Sequence, residues 1–146
     1  MFRFRLEKVL RHRRRLVDDE ARKLQVLAAG LNRLLAERRR LEEDMEMAAE
    51  AAWRGRQGTV DLALQNSAQA FLQARRAQAQ RLQGRIDAAR QRCEDQRQVL
   101  VRAQQDVSVL ESLETKQRQD WELQERRREQ KLTDELAGRR RARPGC

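Results

Sequence analysis

The sequence predicts an all-α fold, a long antiparallel two-helix coiled-coil hairpin. Three observations carry this. Apolar residues recur at alternating spacings of four and three for most of the 146 residues. No proline interrupts them until Pro144. Two nearby glycines, Gly55 and Gly58, divide the pattern into two long stretches. A four-three repeat lays one narrow apolar stripe along a helix, and that stripe must be buried against another helix.

The first stretch reads Leu6, Leu10, Arg13, Val17, Glu20, Leu24, Leu27, Leu31, Leu34, Arg38, Leu41, Met45, Ala48, Ala52. Apolar side chains hold all of these positions but Arg13, Glu20 and Arg38, so the seam is continuous over about residues 4–53. The glycines within Arg54-Gly55-Arg56-Gln57-Gly58 end this helix and open a connection over residues 54–66. Within it, Thr59 can cap a short helical turn over 59–65, with Asp61 favourable in the first turn. Asn66 followed by Gln69 offers a further capping box.

The second stretch, about 67–138, reads Ala68, Leu72, Arg75, Ala79, Leu82, Ile86, Ala89, Cys93, Gln96, Leu100, Ala103, Val107, Leu110, Glu114, Gln117, Trp121. It is richer in alanine, and small residues let two helices approach closely opposite the leucines of the first. Gly84 costs about 1 kcal/mol relative to alanine, which a long helix tolerates. The short connection folds the helices back antiparallel within one chain, although a parallel homodimer would bury the same seams. At 1.5 Å per residue the first helix spans about 75 Å and the second about 105 Å, so helix two overhangs the N-terminus by about 30 Å. A basic tail over residues 139–146 follows, and 1–146 reads as a single hairpin.

Composition agrees with a two-helix hairpin. Charged residues make up 38%, aromatics 3%, and tyrosine is absent, too few large side chains for a thick core. The net charge of +10 is uneven. Residues 1–15 carry +6 and residues 126–143 carry +5, leaving the middle near neutral at −1. Charge gathered at the two termini points to an acidic partner for that end. The first residues, MFRFRLEKVLRHRRR, lack an apolar run long enough for a signal peptide or a membrane span, which predicts a cytoplasmic protein.

The residues for catalysis are few, and the sequence predicts a binding protein rather than an enzyme. His12 is the single histidine and sits among arginines. No His, Cys or Asp cluster has metal-ligand spacing, and no glycine-rich phosphate loop occurs, so neither cofactor nor metal is expected. Cys93 falls on the second seam as a small hydrophobe, and Cys146 lies in the tail. Arginine triplets at 38–40, 126–128 and 139–141 can meet phosphate, but the aromatics are too scattered to serve as a base-stacking platform. Specific nucleic-acid binding is therefore not expected.

Three segments carry a family resemblance. The start, Phe2-Arg3-Phe4-Arg5-Leu6-Glu7-Lys8-Val9-Leu10-Arg11-His12-Arg13, is followed by Asp18, Asp19, Glu20, Ala21 and Leu24. The middle has Asn66-Ser67-Ala68-Gln69-Ala70-Phe71-Leu72-Gln73, and the end has Arg128-Glu129-Gln130-Lys131-Leu132-Thr133-Asp134-Glu135-Leu136-Ala137. In this order and spacing they resemble the FliJ family of flagellar type III export proteins over the whole chain. The resemblance implies a coiled coil similar to the central stalk of rotary ATP synthases. It implies that the end with both termini binds and stimulates the hexameric export ATPase. It also implies contacts with the cytoplasmic domain of the membrane export gate and with export chaperones, at the cytoplasmic face of the cell membrane, with only peripheral membrane association. The equivalent stalk of a virulence type III secretion system shares the shape, and a basic nucleic-acid-binding helical hairpin is the more distant alternative.

The candidate residues follow. For the ATPase end they are Arg3, Arg5, Arg11, Arg14 and Arg15 on the first helix, and Arg126, Arg127, Lys131, Arg139 and Arg140 on the second. Leu132 and Leu136, four apart on the overhang, form an apolar strip left free for the ring. For the export gate, Phe71 matches the family's aromatic position, while Arg75 stands where the family usually has an apolar residue. Because the seam uses Leu72, Phe71 points outward or sideways; the alternative is that it packs under the connection.

Overall fold

A computed structural model describes residues 1–56, 58 and 61–142. Two helices make up nearly all of it: α1, Glu7–Gly55, and α2, Leu62–Ala142. They pack against each other as an antiparallel hairpin, with no strand among the described residues. The predicted seams are the packed faces. On α1 every predicted seam residue except Arg13 is buried or half-buried, and on α2 every one except Gln117.

The helix ends differ from expectation. In place of a separate turn, α2 begins at Leu62, and Asp61 caps it. The Asp61 carboxylate accepts from Ala63 N–H at 2.9 Å, and its carbonyl accepts from Gln65 N–H at 3.1 Å. That is the N-cap role of an aspartate, which satisfies an otherwise orphaned amide. Asn66 therefore lies inside the helix, and the Asn66–Gln69 capping box is not used. The expected Thr59 cap lies outside the described residues, as does Cys146. Helix α1 closes at Gly55 with Arg56 N–H donating to the Trp53 carbonyl at 3.1 Å, a tightened last turn. Helix α2 runs through Gly138 to Ala142. One glycine costs only about 1 kcal/mol, and Arg139, Arg140 and Arg141 in the last turn complement the helix dipole.

The chain divides into two compact units. The connecting unit, Asp19–Leu100, holds the α1–α2 connection. Its core is Leu41, Leu82 and the fully buried Ile86, packed by Leu31, Leu34, Leu35, Met45 and Ala79. Polar seam positions are matched across the helices. Gln96 Nε2 donates to both the carbonyl and the carboxylate of Glu20, and Arg38 donates to Gln83 at 3.1 Å. Gln96, and then Lys23, hold the Glu20 carboxyl below its ordinary value of 4.5.

The terminal unit comprises Met1–Asp18 and the chain from Val101 onward. Its core is Phe4, Leu10 and Val107, joined by Phe2, Leu6, Val17, Leu110 and Leu113. Arg13 and Arg14 reach across to Asp106 at 3.5 Å and Glu111 at 3.1 Å. Residues before Glu7 are not helical, against the expected start near Phe4. Burial alternates there: Phe2, Phe4 and Leu6 turn toward α2, while Met1, Arg3 and Arg5 are exposed. Arg5 and Leu6 form a turn, closed by Glu7 N–H donating to the Phe4 carbonyl at 3.2 Å, which leads into α1. Phe2 pairs with Trp121 at 6.1 Å between ring centroids, tilted by 48°, and the Arg118 guanidinium sits 5.5 Å from the Phe2 ring centre. Trp121 closes the apolar contact, and α2 continues without a partner helix from there to Ala142, about 30 Å at the helical rise.

Candidate partner-binding surfaces

The first surface lies in the terminal unit, on the unpartnered end of α2. Every residue from Arg126 to Ala142 is exposed. Good helix formers keep this segment helical without packing: glutamine, arginine, lysine, leucine and glutamate dominate it. Thr133 Oγ1 donates back to the Glu129 carbonyl at 2.9 Å, and Arg128 pairs with Glu125 at 2.9 Å. Leu132 is 60% exposed and Leu136 58%, one turn apart on the same face. No packed neighbour accounts for two leucines there, and isolated exposed leucines would not demand one. The two leucines at turn spacing lie among unpaired cations, with Asp134 and Glu135 between them.

The predicted cations divide into two groups. Arg14 is held by Glu111 across the hairpin, and Arg11 by Glu7 at 3.3 Å one turn earlier. Arg3, Arg5, Arg15, Arg126, Arg127, Lys131, Arg139 and Arg140 have no ion pair among the described residues. Exposed pairs of the first kind contribute at most about 1 kcal/mol, so the unpaired group dominates the field at this end. Charge of one sign speeds encounter with an oppositely charged partner.

The second surface lies in the connecting unit. Phe71 is 40% exposed and does not pack under the connection as a buried ring. One turn on, the Arg75 guanidinium lies 4.8 Å from its ring centre, a cation–π contact, and donates to Gln78 at 3.0 Å. Arg75 is thus a lid on the aromatic face instead of a second apolar contact. Beside it, α1 and α2 leave an open groove of about 530 Å³. Trp53, Leu62 and Leu64 are also exposed near the connection. The sequence reading missed them because none falls on a seam and a single exposed apolar residue carries no periodic signal.

No three His, Cys, Asp or Glu side chains come together as a metal site among the described residues. No described helix is long and apolar enough to cross a membrane. His12 is exposed, and Cys93 is a half-buried free thiol on the α2 seam.

No curated protein and no solved structure gives a significant match to the chain. The family model described as "Flagellar FliJ protein" matches residues 1–145. That match spans the basic aromatic start, both helices and the exposed end of α2, so this chain belongs to the FliJ family of flagellar export proteins, a family of structural export components.

Proposed function

We propose that this protein is the stalk-like coiled coil of a flagellar export apparatus, which binds and stimulates the hexameric export ATPase. It acts without catalytic chemistry of its own, from the cytoplasm and the cytoplasmic face of the membrane at the flagellar base. The observation that carries the reading is the end of α2 beyond Trp121, with its exposed Leu132 and Leu136 and its unpaired arginines. A helix that holds its shape without a partner can enter a ring opening and bring apolar and cationic contacts to several subunits. Arg3, Arg5 and Arg15 add charge from the paired side. Phe71 and Arg75 face the cytoplasmic domain of the export gate in this reading, and export chaperones are further partners.

The test is a double substitution, Leu132→Asp with Leu136→Asp, assayed with the purified export ATPase. Both side chains are exposed, so the thermal transition should stay where it is. Stimulation of ATP hydrolysis should fall by at least about tenfold, as expected when central apolar anchors are lost. Unchanged stimulation would remove the leucine strip from the contact.

A further inference from the structure

We infer that the groove between α1 and α2 in the connecting unit binds an acidic segment of a partner protein. Four arginines, Arg40, Arg75, Arg81 and Arg85, line this single groove of about 530 Å³. None of them has a carboxylate within ion-pair distance among the described residues. Other arginines here, such as Arg15, Arg126 and Arg127, are likewise without an ion pair among the described residues; what marks the groove is that four such arginines line one concavity. The groove has only Glu37 and Asp44 to set against the four, and both lie on its α1 side.

The two walls differ. The α2 wall presents Arg75, Gln78, Arg81 and Arg85, with no acid among them. These span ten helical steps, about 15 Å. The α1 wall alternates in sign along Glu37, Arg40 and Asp44. The floor is apolar, built by the buried Leu41 and Leu82. A protein segment with two or more carboxylates along about 15 Å, and an apolar side chain between them, matches wall and floor together. Arginine suits this role because its planar fork takes a carboxylate bidentately. A nucleic-acid backbone matches less well. The adjoining Phe71 ring is already covered by Arg75, so no base can stack on that face.

The inference deepens the gate contact proposed above, because Arg75 belongs to both surfaces. It rests on that reading only for the partner's identity. It predicts that the partner surface at this position is acidic, and that Arg75 selects for charge where an apolar residue would select for grease.

The test uses the full chain with a photo-crosslinker at the groove centre, Gln78→benzoylphenylalanine. The probes are a glutamate decapeptide carrying one central leucine and, in a separate arm, a thymidine decanucleotide. The peptide should label the chain, and the triple variant Arg75→Gln, Arg81→Gln, Arg85→Gln should reduce labelling to background. Arg81 and Arg85 are exposed and Arg75 is half-buried with its guanidinium at the surface of the Phe71 ring, so circular dichroism should show the helical fold retained. No labelling by the peptide, or equal labelling by the oligonucleotide, overturns the inference. In parallel, Arg81→Gln with Arg85→Gln should weaken binding of the purified gate domain about tenfold. Unchanged gate affinity in that variant, with the unaltered chain binding, also overturns it. If the unaltered chain does not bind the gate domain at all, the gate reading fails, and the peptide arm decides the groove by itself.

Discussion

The connecting unit and the terminal unit are made from the same two helices, yet they use α2 differently. In the connecting unit every heptad of α2 faces α1, and the core closes on Ile86, which has no exposed surface. In the terminal unit the pairing stops at Trp121, and the last twenty or so residues of α2 stand without a partner. Apolar residues at the same helical spacing are structural in one place and available in the other. What separates them is the presence of an opposing helix, not their own chemistry. A seam residue is therefore defined by its neighbour, and the packing of α2 ends where an opposing segment runs out.

Acidic substitutions break this comparison most strongly. Ile86→Asp puts an unpaired charge into the dry core and should cost more than about 3 kcal/mol, enough to abolish a cooperative melting transition. Leu31→Asp, against the same cluster, should also cost several kcal/mol, about 2–4 on the same grounds. Leu132→Asp, with the same change of chemistry in the unpartnered segment, should move stability by no more than about 0.5 kcal/mol. Chemical denaturation of the three variants side by side checks the contrast. Equal losses at Leu31 and Leu132 would mean that the end of α2 is packed.

The N-terminal aromatics sharpen the boundary. Phe4 is buried, and Phe4→Ala should cost about 3 kcal/mol in the terminal unit, because it removes a core ring and leaves a cavity. Phe2→Ala, which loses the Trp121 pair and the Arg118 contact, should cost about 1 kcal/mol. Hydrogen exchange should show the loss concentrated in residues 1–18 and 101–121 for both variants. Uniform loss of protection over α1 and α2 would show that the two units do not respond separately.

A smaller effect tests the polar seam. Hydrogen bonds from Gln96 and Lys23 favour the charged form of Glu20, so its folded pKa lies below the ordinary 4.5. The unfolded chain then binds the proton more readily. The stabilisation is present above about pH 4.5 and is lost as pH falls through the folded pKa. The melting-temperature difference between the unaltered chain and Glu20→Gln should shrink as pH is lowered from 6 toward 3, about the range in which carboxylates titrate. A difference that stays constant or grows would contradict the sign.

Much of the fold was legible because a coiled coil writes its contacts into sequence spacing. Both seams, including the polar positions Glu20, Arg38 and Gln96, could be listed from the four-three repeat. The cap lies one step from the expected position: Asp61 is the N-cap itself and not a first-turn charge, and a single acidic residue can serve either role. The non-helical start also departs from the expected helix. Phe2, Phe4 and Leu6 alternate with Met1, Arg3 and Arg5, a period of two that was on display, but three pairs are too short to compete with the helical repeat that follows. The exposure of Leu132 and Leu136 could be inferred because it follows from helix lengths. The arginine groove could not, since Arg40 and Arg81 are forty-one residues apart and meet only through the hairpin register.

The central claim is that the unpartnered end of α2 carries the stimulation of the export ATPase. Deleting residues 126–146 removes the Leu132–Leu136 strip and most of the charge there, while leaving both cores and the Phe2–Trp121 contact intact. The direct measurement is the rate of ATP hydrolysis by the purified hexamer with the full chain and with the truncated chain, at low and at physiological salt. The truncated chain should melt as the full chain does and give no stimulation above the ATPase alone. The full chain's stimulation should weaken as salt rises and the screening length falls to about 8 Å. Stimulation by the truncated chain equal to that of the full chain would contradict the account.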